Sequence, residues 1–562
     1  MGCAADLVHE FIPSRRPKKV VKKIVGIDID RKVIPTIKDC TLVSSTHAAP
    51  RPFMHLALLI DELLLQIFSF CLEYDRPSLV AAALTCRAWK DPALDLVWDC
   101  LLSVEPLLRL LPGISGIENI SASESSSNAS VAFSSYARRV KYISHRQEAN
   151  NHHVIVPVTY PLFSALKLAL PNLRTAHISF RRCNTSFLPL YLSPALCNLE
   201  VDLGFGKSYI DLDSMLCDYL EKTNLLPIKL ERISLRGLAS ERLNRAISSF
   251  HHLRFISLKL GRSLLPQTVK EITTFSSLLE LEIHAGHIDP DDLEDTHRHA
   301  SIFKSLRKLQ IRAKASFIEH VFCHLEQDTL NHLHIELDDH SPSSISWNNI
   351  FRLICDKASN TLHHLSLEHH FELPEMTPSS SASPGTSLYL NPNNTPNQVS
   401  PALPFSTMAD LRCLKHVKHF AYDTTVPPII YDNDIKKLLS WWPNLEHFEL
   451  GSVPQTEEGG LLPPFHMMMA ALTTFAAKAP KLQKLVLPLP VDSVEGEPDG
   501  KFSVAKSTSP LMSLTVAQLE TSKPSNLAAY LHCLFPALRN LDGPCDNNVA
   551  WTETRATLYA LA

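Results

Sequence analysis

Histidine, cysteine and one lysine beside glycine are the side chains here whose types could do chemistry. Four histidine pairs stand side by side: His152-His153, His251-His252, His363-His364 and His369-His370. A metal needs ligands that converge on a point, whereas adjacent residues of a strand point to opposite faces, so these read as surface histidines. "GFGKS" (Gly204 to Ser208) copies the end of a phosphate-binding loop, but Val201 stands where the first glycine of the cradle is required. The 13 cysteines include no CxxC pair; Cys533 and Cys545, among the nearest, are twelve apart. They read as reduced thiols of the cytoplasm or nucleus. The chain has no GxSxG elbow and no HExxH helix. No catalytic residue, cofactor or metal is therefore assigned, and a chain without enzymatic activity is expected.

Composition agrees with an ordinary globular protein. The 562 residues are 45% hydrophobic and 20% charged, with a net charge of −4. Such a balance creates no global basic field, so nucleic acid is not expected as a partner. No apolar run is long enough to span a membrane. "MGCAAD" offers Gly2 and Cys3 as lipidation candidates, but Asp6 stands where Ser or Thr is needed. "RRPKKVVKK" (Arg15 to Lys23) reads either as a nuclear-localisation patch or as a solvated arm. Cytoplasm, nucleus or both remain open.

Chemistry being absent, the dense apolar stretch "LLIDELLLQIFSFC" (Leu58 to Cys71) needs another purpose. Ile60, Leu63, Leu64, Ile67, Phe68 and Cys71 recur at helical spacing, with Asp61 and Glu62 suited to a first turn. "YDRPS" breaks that helix. Leu79, Ala82, Ala83, Cys86 and Trp89 give a second stripe. Asp91-Pro92 then signals a third helix carrying Leu94, Val97, Trp98 and Leu101. Three short helices cannot bury this much apolar surface against one another. Either the rest of the chain or a partner covers the remainder.

This stretch resembles the F-box: Leu59, Glu62, Leu63, Ile67, Phe68, Leu84, Cys86, Arg87, Trp89 and Trp98 fall on the family's pattern. Ile60 stands where proline is usual. The resemblance covers Leu56 to about Leu102. It implies docking onto a Skp-type adaptor and, through it, a cullin, with the contact carried by those residues and Ile60. An F-box protein of this kind does no chemistry and selects a protein substrate.

Downstream, "LRTAHI" from Leu173, "LERISL" from Leu230, "LRKLQI" from Leu306, "LHHLSL" from Leu362 and "LEHFEL" from Leu445 share an L-x-x-L-x-L form with seven similar segments. Anchor spacing runs from 23 residues (Leu173 to Leu196) to 56 (Leu482 to Leu538). The shorter spacings fit a leucine-rich repeat of about 20–29 residues, and the longer ones require insertions. Amphipathic helical patterns lie between anchors. The expected fold class is α/β: a three-helix F-box followed by a leucine-rich-repeat-like α/β solenoid of irregular repeats. The expected divisions are a basic, disordered arm over 1–51, the F-box over 52–103 and a linker and helical connection with a serine-rich stretch over 104–160. The solenoid follows over 161–545, with mobile insertions near 374–406 and 488–510, and a tail over 546–562.

In a solenoid the alternate residues of each strand line the concave surface. Ser234 and Arg236, Ser257 and Lys259, Glu282 and His284, Gln310 and Arg312, His334 and Glu336, Ser366 and Glu368 are those residues here. Of these, Arg236, Lys259, Glu282, His284, Arg312, His334, Glu336 and Glu368 are the candidates for substrate contact. Their interleaved charge suits a protein ligand. The expected function is substrate recognition within an SCF-type ubiquitin ligase. A leucine-rich-repeat interaction scaffold without a ubiquitin role is the alternative.

Overall fold

The computed structural model describes residues 60–74, 76–108, 110, 125–145, 170–179, 188–206, 209–224, 230–296, 302–339, 347–370, 403–425, 428–451, 467, 469–492, 507–520, 523–543 and 549–561. The expected arm over 1–51, most of the insertion near 374–406, and the pair His152-His153 lie outside them. The chain divides into two compact units, Met1–Ser144 and His145–Ala562.

Three helices make the centre of the first unit: α1 (Asp61–Tyr74), α2 (Arg76–Thr85) and α3 (Arg87–Asp99). Two acids open α1, and the carbonyl of Ile60 accepts its first helical bond from the N–H of Leu64 at 3.0 Å. Leu64 and Phe68 of α1, Leu79 and Ala83 of α2, and Ala93 of α3 form the core. Contrary to the sequence signal at Asp91-Pro92, α3 starts at Arg87 and runs through Pro92. The ring of Pro92 is buried, and that burial offsets the helical bond its missing N–H cannot make. Arg76 donates to the carbonyls of Val97 and of Cys100 (3.1 Å for the latter), covering groups that the end of α3 leaves unpaired.

A short strand β1 (Cys100–Leu101) and helix α4 (Glu105–Leu108) follow. The expected helical connection takes in much of the serine-rich stretch itself, which reads from its composition as a mobile linker. Its residues from Ser125 to Ala137 form helix α5, held because Phe133 and Ala137 are buried and Tyr136 packs on Trp98. Arg139, just beyond α5, pairs with Asp95 and with Asp91 (2.6 Å for the latter). Strand β2 (Tyr142–His145) runs parallel to β1.

The second unit repeats one motif: a strand, a return through a helix or turn, and the next strand in parallel. The strands are β3 (Thr175–Ser179), β4 (Asn198–Gly204), β5 (Arg232–Gly237), β6 (Phe255–Lys259), β7 (Glu280–His284), β8 (Lys308–Ala313) and β9 (His332–Leu337). They continue as β10 (His364–His369), β11 (His419–Thr424), β12 (His447–Leu450), β13 (Lys484–Asp492), β14 (Ser513–Glu520) and β15 (Asn540–Asp542). Each pairs in parallel with the next. Between them come α6 (Leu188–Tyr191), α7 (Tyr209–Asn224), α8 (Glu241–Ser248), α9 (Pro266–Ile272), α10 (Ala315–His324), α11 (Trp347–Ala358), α12 (Asp432–Trp441), α13 (Ala470–Lys478) and α14 (Pro524–Leu534). Along most strands burial alternates, so one face of the sheet is core and the other is open.

Why these residues make this fold is visible just before each strand. There one carbonyl accepts two N–H groups from the next turn. That of Arg174 takes Cys197 and Asn198 (2.8 and 2.9 Å); that of Arg307 takes Asn331 and His332 (2.8 and 3.1 Å). The pattern recurs through Met512, whose carbonyl takes Arg539 and Asn540. All twelve anchor leucines are buried, from Leu173 to Leu538. In β11, however, the strand register puts Val417, not Leu414, in the anchor place.

Three further expectations change. The gap from Leu482 to Leu538 holds an unforeseen repeat, "LMSLTV" from Leu511, which forms β14; β13 itself reaches Asp492. The supposed C-terminal tail carries helix α15 (Val549–Leu561), which buries Trp551 and Leu558. A side chain at Gly543 would stand 2.0 Å from the Trp551 ring, so only glycine lets that indole close the end of the sheet. Finally, Cys355 on α11 forms a disulfide with Cys413, at the end of the 3-10 helix Phe405–Cys413. The two are 58 residues apart, so spacing gave no hint of a pair.

Candidate functional site

Two surfaces stand out, one in each unit. On α1 the single apolar stripe read from the sequence splits into two. Leu64 and Phe68 turn inward, whereas Ile60, Leu63, Ile67 and Phe70 lie 46%, 40%, 45% and 58% exposed. Steps of three, four and three residues put those four on one side of the helix. Val80 and Leu84, one turn apart on α2, and Leu102 are exposed as well. Single exposed apolar residues are normal, but a run of this kind beside a filled core marks an interface.

The sequence-predicted contact residues divide accordingly. Ile60, Leu63, Ile67 and Leu84 are exposed, as are Glu62 and Arg87. Phe68 is corrected to a core residue, its ring meeting Trp89 edge-on at 5.8 Å. Trp89 is half-buried by that contact, and Trp98 by Tyr136 at 4.7 Å. Cys86 is the half-buried residue preceding α3. Leu59 lies outside the described residues. Phe70 and Val80 were missed, although Phe70 stands three residues after Ile67 and completes the outer stripe.

On the second unit, all eight candidate residues from Arg236 to Glu368 are half-buried on the open face of the sheet. From β6 to β9 ion pairs join candidates on neighbouring strands. Lys259 meets Glu282 at 2.7 Å, and Arg312 meets Glu336 and Asp338 at 2.9 Å each. Burial pushes the Glu282 carboxyl up, but hydrogen bonds from Lys259 and Ser257 outweigh it and hold it below the usual range. Burial, with Lys259 and Arg312 nearby, pushes His284 down to about 4.

From β9 to β11 the face is zoned instead, whereas on β12 Glu449 lies against His447 at 3.3 Å and Lys484 at 3.7 Å. Glu336, Glu368 and Asp423 are aligned toward the strand ends. Burial, then the carboxylates of Glu336, Asp423 and Glu449, push Glu368 up to about 7. His334 contacts Glu368 at 3.4 Å. At the strand starts, four histidines share one register: His332, His364, His419 and His447. Ring centroids are 3.9, 5.3 and 5.7 Å apart in sequence along that row. Burial and the neighbouring imidazole of His364 push His332 down to about 3; burial and His419 push His364 to about 4. Among the described residues no cluster of three or more donors could hold a metal ion.

The row corrects the sequence reading of surface histidines at two pairs. His364 belongs to it, and His369 is buried with Nε2 2.9 Å from the Asp339 carbonyl. A signal existed: "LNH", "LHH", "VKH" and "LEH" put histidine two residues after the anchor in four consecutive repeats.

Comparison with known proteins agrees with the first unit. The F-box-like family model matches residues 61–102. No curated protein matches the chain in sequence. Among solved structures, a Rad7 and Elc1 complex from yeast is 14% identical with a TM-score of 0.32, covering 58% of this chain and 81% of that one. The leucine-rich-repeat protein LegL7 from Legionella pneumophila is 12% identical with a TM-score of 0.28, over 58% and 97%. A TLR13–ssRNA13 complex is 11% identical with a TM-score of 0.26, over 73% and 60%. This chain thus carries an F-box-like domain at residues 61–102, followed by the leucine-rich-repeat-like parallel repeats described above.

Proposed function

We propose that the chain is a substrate-recognition subunit of an SCF-type cullin–RING ubiquitin ligase. One observation carries the reading: α1 presents a second apolar stripe, Ile60, Leu63, Ile67 and Phe70, to solvent although Leu64 and Phe68 already fill the core. A Skp-type adaptor would cover that stripe together with Val80 and Leu84 of α2. Burial of large apolar side chains at the centre of an interface is what usually supplies its affinity. The open face of the second unit would hold a protein substrate. No chemistry is asked of the chain. Its contribution is proximity, raising the effective concentration of substrate near a charged ubiquitin-conjugating enzyme.

Co-expression with a Skp-type adaptor, a cullin and a RING subunit tests this. The full chain is expected to elute with all three as one assembly. Elution of the chain apart from an assembled adaptor–cullin–RING complex would refute the proposal.

A further inference from the structure

The zoned face of β9 to β11 names a class of substrate. The row at the strand starts, read across six adjacent strands, is Lys308, His332, His364, His419, His447, Lys484. Every strand from β8 to β13 thus contributes one basic side chain at the same height. With strands roughly 4.8 Å apart, the row is about 24 Å long, the span of about seven residues of extended chain. It is undercompensated at one end: among the described residues Lys308 has no ion-pair partner, nor do Lys304 and Arg307 beside it. A cleft of about 570 Å³ opens at the starts of β7 to β9; Lys304 and Arg307 line it with Leu279, Ser305, Thr329, Asn331 and one acid, Asp328.

Neutral imidazoles 3.9 Å apart, with lysines at both ends, form a row of N–H donors that an anion can charge. We propose that this row binds an acidic segment of a substrate protein, lying across β8 to β13. This rests on the reading of the open face as the substrate surface. The opposite zone decides the class of polyanion. Glu336, Glu368 and Asp423 stand four residues further along the same strands as His332, His364 and His419, roughly 13 Å away. A nucleic acid carries negative charge along its whole width and meets those carboxylates. A peptide is narrow enough to lie on the row alone, and it can place neutral or basic residues toward the acids.

Binding takes up protons. The groups facing the row are Glu280 from β7, Lys308 from β8, His334 from β9, Glu449 from β12 and Lys484 from β13, with Lys418 and Glu446 on the turns. In the free chain burial and mutual proximity keep His332 and His364 neutral. A carboxylate against them favours the imidazolium, so the bound-state pKa lies above the free-state one. Affinity therefore rises as pH falls through the bound-state value and is level above it.

The test uses the full chain and a fluorescein-labelled hexaglutamate peptide, read by anisotropy at low salt. Binding is expected to tighten from pH 8 to pH 6 and to weaken by about tenfold or more in a His364→Gln/His419→Gln variant. Lys308→Met, half-buried on the open face beside His332, is expected to weaken it without a change in thermal unfolding. Glu368→Gln is expected to leave it intact or tighten it. The inference is overturned if hexaglutamate does not bind, if it binds both the histidine and lysine variants as well as wild type, or if hexathymidylate binds more tightly than the peptide. Adaptor capture is scored separately: intact capture with no peptide binding sinks this inference alone, and lost capture with retained peptide binding sinks only the ligase reading.

Discussion

Phe68 and Phe70 are two residues apart on α1 and do opposite work. Phe68 is buried against Trp89, whereas Phe70 is among the most exposed large apolar side chains of the first unit. Truncating Phe68 to alanine removes core contacts and leaves a cavity, so a loss of about 3–5 kcal/mol in chemical denaturation is expected. Aspartate at Phe70 should leave that stability almost unchanged, because nothing in the described chain packs over it. Only Phe68 falls on the helical stripe read from the sequence and Phe70 was missed, because periodicity alone cannot say which of two adjacent apolar stripes faces inward. Packing decides it: Leu64 and Phe68 are buried against Leu79, Ala83 and Ala93, with Cys71 and Leu72 of α1 packed at the edge of that core. Ile60, the departure from the F-box pattern, keeps its side chain in solvent and uses its carbonyl to start α1.

At the scale of elements, the anchors were legible because a buried leucine at the start of each strand is a local and repeated requirement. The third residue of the same frame was equally legible, and it spells the histidine row. What was hidden depends on contacts between distant residues. Asn244 on α8 is fully buried and ties neighbouring turns together. Its Nδ2 donates to the carbonyls of Ser240 and Ser263 at 2.9 Å each, and its Oδ1 accepts from the Leu265 N–H and the Thr268 hydroxyl. Asn244→Ala strands those buried partners, and a loss of about 1–3 kcal/mol in urea unfolding is expected. The Cys355–Cys413 disulfide is another such contact. It closes a 58-residue loop, which in the chain-entropy treatment stabilises by about 4 kcal/mol. Dithiothreitol should therefore lower the thermal midpoint of the wild type and leave that of Cys355→Ser unchanged.

Over the whole molecule, local patterns were enough for the two-part plan of a helical unit and a repeating parallel sheet. Each repeat is one strand and one return, and stacking supplies the core that no repeat has alone. Ends and insertions were harder, since their order depends on what they pack against. Trp551 turns an apparent tail into α15, and Phe133 turns a serine-rich connection into α5. The same logic separates the two proposed functions. The proposed docking rests on an apolar stripe in the first unit, and the proposed selection on a polar face in the second. Changes in one surface should leave the other's binding intact. Calorimetric titration of a purified Skp-type adaptor into the full chain, and into an Ile67→Asp/Phe70→Asp variant of equal thermal stability, tests the central claim most directly. The account predicts one adaptor per chain for the wild type and a loss of affinity of at least about a hundredfold for the variant. Equal affinity for the two, or no binding to either, would contradict it.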